Sequence, residues 1–396
     1  MKTLKLNKAL AMSIVVVFSV VASMMFSESP LSYVVSAIFF FIMMLLLMDA
    51  ALSESKGYPW TVLIFYLFVI VYIFGSSLVL FLVVDDFTPR NLLTSLYLPS
   101  LLVLSVLLFG KDPKVFNLFF FCFVVFIVFA SYKVLEARAL SWTEYGRAKQ
   151  TNWTNFVGSS LVFAFAFKRR FFTFVLLLVG TLIVVVGLKR SGILVVSLCW
   201  MIYFFSFNGI RQFVSGNVMA FLLGGVALTF AIHHFGSEEL FSLWDAAWTR
   251  MENVTEDGGS GRDAILMDGM SFWMNSDFIS IFLGQGHAAF QEHVGTASSL
   301  HNDFAELLIS YGLIGALFIV TIYARLLYLC INLGSKSNRY FPFSLAVAFS
   351  FFIYSNVGGL YFYPVFFCPL IIAYGYLESV ASISKSTISD DLQVPS

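Results

Sequence analysis

Apolar runs of about 20 residues recur along most of the chain, and a run of that length crosses about 30 Å of hydrocarbon as a helix rising 1.5 Å per residue. They fall at roughly 9–26, 31–52, 60–84, 92–109, 115–132, 155–167, 171–188, 191–207, 213–232, 303–330, 340–356 and 361–378. Lipid offers the backbone no hydrogen bonds, so each run must satisfy its own, and the pattern predicts an all-α polytopic membrane protein of about twelve transmembrane helices. Only 12% of the 396 residues are charged and the formal net charge is zero, against about 25% charged in a soluble domain. That balance excludes a cytosolic enzyme, a secreted disulfide scaffold and a basic nucleic-acid-binding surface. Cys122, Cys199, Cys330 and Cys368 all lie inside apolar runs, without metal-ligand spacing, and read as small core residues.

The first run reads as an uncleaved anchor, since further runs follow at once. The sixth is short, as a broken or tilted helix would be. Between the seventh and eighth, Lys189 and Arg190 would cost several kcal/mol in mid-membrane, so a tight hairpin is expected at Leu188–Gly192. Arg325 is the clearest remaining charge inside a run and is expected to snorkel. With the N-terminus inside, Lys2, Lys5, Lys8, Lys56, Lys111, Lys114 and the 168–170 basic cluster fall on the cytoplasmic side, while Asp85 and Asp86 fall outside. Both termini are then cytoplasmic. The chain divides into transmembrane helices 1–9 (1–232), a large outer loop (233–300), helices 10–12 (301–380) and a tail (381–396).

Long loops of this kind are functional or disordered, and this one has ordered composition. Leu240, Phe241, Leu243, Trp244, Ala247, Trp248 and Met251 recur at helical spacing between acidic residues, as in an amphipathic interfacial helix. A glycine turn at 258–261 and a second such helix opened by Arg262 and Asp263 should follow. Basic residues kept on the outer face against the insertion bias need a further reason, and there are two such places, the Lys133–Asn155 loop and the tight Lys189–Arg190 hairpin. Arg190 either snorkels to headgroup phosphates or offers its planar fork of donors to a bound anion. His301 precedes a helix whose Asp303-x-x-Glu306 pattern resembles a capping box. A helix N-terminus disfavours imidazolium, so His301 is either a neutral group able to accept a proton or a polar residue facing headgroups.

His301-Asn302, nine residues, then Gly312-Leu313-Ile314-Gly315 resembles the signature of the bacterial O-antigen ligase and polymerase family, His-Asn/Ser/Gln-x9-Gly-x-x-Gly. Three further pieces agree in order: Gly146-Arg147 with Asn152 to Asn155, Leu188-Lys189-Arg190-Ser191-Gly192, and Ser260-Gly261-Arg262-Asp263 ahead of Gly284-Gln285-Gly286. The match covers about Tyr145 to Leu317. The first five runs contribute topology alone.

The resemblance implies a GT-C-like membrane glycosyltransferase of the bacterial inner membrane, active at the periplasmic face, with its large periplasmic loop between helices 9 and 10. It implies an undecaprenyl-diphosphate-linked glycan donor and, as acceptor, a second lipid-linked repeat (polymerase) or lipid A core (ligase), with a chain-length regulator as a further partner. His301 then serves as base or orienting group for the acceptor hydroxyl, Arg190 and Arg262 clamp the diphosphate with Arg147 a third, and Lys189, Asn302 and Glu306 are secondary. Because arginines can neutralise a diphosphate leaving group, neither a cofactor nor a metal is expected. Polymerase is the first choice between the acceptors. A twelve-helix transporter or flippase, with paired charges or broken helices near the midplane, and a non-catalytic assembly partner remain alternatives.

Overall fold

The computed structural model describes residues 38, 41–42, 45, 48, 59–83, 89–111, 115–144, 152–167, 170–187, 189–207, 258–286, 289–294, 300–336, 340–361 and 363–391. The runs at 9–26 and 213–232, most of 31–52, the Leu240–Met251 helix and Arg147 lie outside these residues. The described chain is helical throughout, with no strand. Helix α1 spans Trp60–Val83, α2 Pro89–Lys111, α3 Val115–Glu144 and α4 Trp153–Ser160, the last continuing as a 3₁₀ helix over Leu161–Ala166. A hairpin of α5 (Arg170–Val186) and α6 (Arg190–Phe207) follows. Outside the bundle runs come α7 (Gly258–Met274), α8 (Phe278–Leu283) and α9 (Ala289–Val294). Helix α10 covers Asp303–Lys336, α11 Phe341–Ile353 with a π turn at Tyr354–Gly358, and α12 Cys368–Asp391 after a 3₁₀ turn at Pro364–Phe367. The last helix thus continues past residue 380.

Among the described residues, three helices are long and apolar enough to cross a membrane, within Trp60–Ser77, Phe119–Ala137 and Asp303–Gly334. Their exposed faces are themselves apolar at helical spacing: Ile64, Phe68 and Val71 on α1, Phe121, Val125 and Val128 on α3, Leu317, Val320, Leu327 and Ile331 on α10. Stripes like these suit hydrocarbon as solvent and would be aggregation-prone in water. The centre is α2, buried without a break from Ser95 to Phe109. Helix α12 lies closest to it: a Cβ on Gly375 would stand 2.4 Å from the Ser105 Cβ, and the Ser379 hydroxyl donates to the Val106 carbonyl at 3.1 Å. Small residues one turn apart permit that backbone approach where no hydrophobic effect drives helices together.

The sixth run is indeed short, an α-helix giving way to a 3₁₀ helix, and the charged hairpin lies where Lys189 and Arg190 require it. Three expectations need correction. The glycines at 258–261 open helix α7 rather than forming a turn before it. Arg325 does not snorkel: its Nε and Nη2 donate to the two carboxylate oxygens of Glu378 at 3.0 and 2.6 Å. Tyr374 donates to the same carboxylate at 3.0 Å and shares a hydroxyl–hydroxyl bond with Tyr66. A bidentate partner on α12 neutralises the charge where it stands, which a lone arginine in lipid cannot achieve. Finally, α10 is not continuous. Tyr311 (φ −132°, ψ 19°) and Gly312 (φ 60°, ψ −153°) break it into two helices.

That break ties the 258–286 segment to the bundle. It frees carbonyls at the end of the first segment, and the Gln285 and Gly286 amides donate to Ile309 and Ser310 at 2.9 and 3.0 Å. The Tyr72 hydroxyl of α1 donates to the carbonyls of Leu283 at 2.9 Å and Tyr311 at 3.3 Å. Irregular backbone at membrane depth survives only with such partners. Gly284 and Gly312 are therefore two sides of one backbone contact, while Gly315 packs against Leu307 across the break within α10. A Cβ on Gly312 would lie 2.1 Å from the Phe282 carbonyl oxygen, and one on Gly284 2.3 Å from that of Ser310.

Candidate functional site

His301 has φ of 53°, the one non-glycine residue with positive φ among the described residues. Left-handed backbone costs a residue with a Cβ about 1–2 kcal/mol, and it persists where the surroundings over-determine it. They do so on both sides here. The Leu300 amide donates to the buried Glu306 carboxylate at 2.6 Å, and the Leu300 side chain is sealed in a small core with Phe290, Ala305 and Ile309. On the other side, the Asn302 Oδ1 accepts from the Ala305 amide at 3.0 Å. The cap of α10 is therefore Asn302 rather than Asp303, with Glu306 reaching back beyond it. The half-buried His301 sits at the turn between these two anchors.

Asp303 is turned inward instead. It is fully buried, and its Oδ1 accepts from the Tyr361 amide at 3.0 Å. Its Oδ2 has no hydrogen-bond partner among the described residues. The Asn302 Nδ2 donates to Asn356 Oδ1 at 3.2 Å, and Asn356 Nδ2 donates to the Phe352 carbonyl at 2.8 Å and to the Tyr323 hydroxyl at 3.3 Å. Asn356 belongs to the π turn, an irregularity that frequently marks functional sites in helices. The turn ends at Gly359, with φ of 68°, and Asp303 binds just beyond it. Sequence reasoning passed over Asn356, Tyr323 and Tyr361. An asparagine beside paired glycines in an otherwise apolar stretch, Asn356-Val357-Gly358-Gly359, was the available signal.

The basic hairpin is held against α4, which itself packs on the π turn. Lys189 donates to the Asn152 side chain, and the Ser191 hydroxyl donates to Asn155 Oδ1 at 3.3 Å. These bonds hold the start of α6 against the start of α4, where Gly187 leaves room for Thr154: a Cβ there would lie 2.2 Å from the Thr154 hydroxyl. One turn along α4, a Cβ on Gly158 would meet the Tyr354 hydroxyl at 2.1 Å, and Tyr354 is the first residue of the π turn. Helix α6 contacts that turn as well. The half-buried Arg190 heads α6 and His301-Asn302 heads α10, and both helices contact this one irregular element.

Arg262 falls near the start of α7, whose later part packs on the His301 turn, since a Cβ on Gly269 would lie 2.5 Å from Leu300 Cδ2. Arg147 lies outside the described residues, as do His233, His234 and His287. Among the described residues no group of three His, Cys, Asp or Glu side chains could hold a metal ion. The arrangement combines an imidazole on a fixed, strained turn, buried carboxylates behind it, and a cationic hairpin at the head of a helix that contacts the π turn to which Asn302 is bonded. A positioned imidazole can take a proton from a hydroxyl, and a guanidinium can neutralise an anion. Compared with known proteins, the sequence matches no family model and no curated protein.

Proposed function

We propose that this chain is a bacterial inner-membrane glycosyltransferase, a surface-polysaccharide polymerase that joins undecaprenyl-diphosphate-linked repeat units at the periplasmic face. In this reading it has twelve spans in a GT-C-like arrangement, with both termini cytoplasmic. The observation that carries it is the left-handed His301, clamped between Leu300 and Asn302 beside the π turn that α6, the helix headed by Arg190, also contacts. Strain held at a residue with acid–base chemistry leads from an outlier to a function.

The acceptor hydroxyl oxygen attacks the anomeric carbon of the donor glycan. The bond from that carbon to the diphosphate oxygen breaks, and undecaprenyl diphosphate leaves with the bonding pair. His301 accepts the hydroxyl proton. Arg190 and Arg262, with Arg147 as a third, neutralise the charge that grows on the diphosphate, the term that most lowers such a barrier. Lys189 supports the hairpin through Asn152, while Asn302 and Glu306 hold the His301 turn. The ligase alternative shares every step and differs only in its acceptor, lipid A core.

A transporter has one observation in its favour, because broken helices and buried charge pairs are what such proteins use near the midplane. The break in α10 lies only about 12 Å along the helix from Asp303, at 1.5 Å per residue, and its carbonyls are taken by backbone and Tyr72 rather than left facing a cavity. Complementation decides between the readings: the gene restores a long polysaccharide ladder in a polymerase-null strain and not in a ligase-null strain. Capped single-repeat product in the first strain contradicts the polymerase assignment. In the complemented strain, Arg190→Lys reduces ladder synthesis about tenfold or more, since lysine keeps the charge but loses the bidentate fork worth a hydrogen bond to a charged group. Full synthesis by that variant would reduce Arg190 to a headgroup contact.

A further inference from the structure

A cleft of about 690 Å³ opens between α7, α8 and α9. Asp268, Asn275 and Gln285 line it together with the rings of Phe272 and His293. The two rings lie 4.4 Å apart, inclined by 31°. Asn275 Nδ2 donates to the Ser271 hydroxyl at 3.4 Å, and the Gln285 amide donates to Ser276, which fixes both amide planes in the wall. Asp277, also in the wall, caps α8 by accepting from the Ile279 and Ser280 amides at 2.9 and 3.0 Å. The Ser280 hydroxyl and those amides hold its carboxyl below the ordinary carboxylate range.

Among the described residues, the lining carries two carboxylates and neither lysine nor arginine. It therefore repels the diphosphate end of a donor, which belongs with the basic hairpin. Hydroxyl-rich ligands suit it, because amides and carboxylates in fixed planes accept and donate to vicinal hydroxyls, while an aromatic face covers the apolar C–H face of a pyranose ring. The cleft is also joined to the His301 turn. Phe290 lines it and belongs to the core that seals Leu300, and Gln285 donates through its backbone to Ile309 of α10.

We infer that this cleft is a subsite for an uncharged saccharide, holding sugar units of a substrate while its reacting end lies at His301. The assignment rests on the transferase reading. The test is saturation-transfer NMR on the full chain in lipid nanodiscs with three probes: maltotriose and chitotriose, which are uncharged, and 3′-sialyllactose, which is anionic. At least one uncharged probe takes up saturation, more than the anionic one does. The exposed-residue variants Asp268→Ala and Asn275→Ala weaken that binding about fivefold each, the loss of one net hydrogen bond, with an unchanged melting temperature. No uptake by any probe, stronger uptake by the anionic one, or wild-type binding by both variants overturns the inference. Parallel turnover of a lipid-diphosphate-linked glycan separates the two levels. Saccharide binding without turnover defeats the transferase reading and leaves the cleft as a saccharide site, whereas wild-type turnover by the Asp268→Ala/Asn275→Ala double variant defeats the subsite alone.

Discussion

Replacing His301 by glycine is expected to lower glycan transfer by about 10²–10⁴-fold, the range for loss of a positioned general base, while leaving the protein folded. Glycine is the informative substitution because φ of 53° is free of strain without a Cβ. The clamps on either side, Glu306 to the Leu300 amide and Asn302 to the Ala305 amide, need no His301 side chain. His301→Gly should therefore unfold as cooperatively as the parent, at a melting temperature close to it. His301→Asn supplies the complementary control: asparagine tolerates the left-handed conformation and keeps a hydrogen-bonding side chain, but cannot take up a proton near neutral pH. It should be as inactive as the glycine variant. Ladder synthesis at the parental level by both variants would remove His301 from the chemistry and leave it a turn residue.

The second large effect is structural. Gly312→Ala places a Cβ 2.1 Å from the Phe282 carbonyl oxygen and 2.8 Å from the Gly284 amide nitrogen, both backbone atoms that no rotamer change can move. The backbone there, φ 60° and ψ −153°, is open essentially to glycine alone and costs other residues on the order of 1–3 kcal/mol before any clash is counted. Thermal unfolding in detergent should show a drop in melting temperature with loss of transfer, as α8 is pushed off the α10 break. Gly75→Ala on α1 is the matched control. Nothing lies within 4 Å of a Cβ at that position, so this change should be neutral or mildly stabilising, by up to about 1 kcal/mol. Equal melting temperatures for the two variants would mean that the Gly312 contact does not hold the loop.

The comparison of these glycines shows what can be read from the sequence alone. Helix positions were legible because lipid imposes one rule on every residue of a span, and Lys189-Arg190 had to mark a hairpin because charge is costly in mid-membrane. What escaped depends on partners distant in sequence. Glu378, which neutralises Arg325, lies 53 residues away. The break at Gly312 looks like an ordinary small residue in an apolar run until Gln285 and Gly286 are seen to collect its freed carbonyls. Asn302 and Asp303 are both good caps, and the choice was made by burial, which drew Asp303 toward the Tyr361 amide. Gly258, Gly259 and Gly261 read locally as a turn, yet helix α7 runs through them. At the candidate site, His301 and Arg190 were visible as residue types out of place. The π turn with Asn356 was not, since what meets it, α4, α6 and α10, comes from distant parts of the sequence.

The most direct test of the account is the purified chain in nanodiscs, supplied with an undecaprenyl-diphosphate-linked repeat unit and no other protein. Mass spectrometry of the lipid products should show one undecaprenyl diphosphate released for each repeat joined to a second lipid-linked unit, and neither product from His301→Gly. An intact donor with the parental chain, or equal release by the His301→Gly protein, would contradict the transferase and the role assigned to His301 respectively.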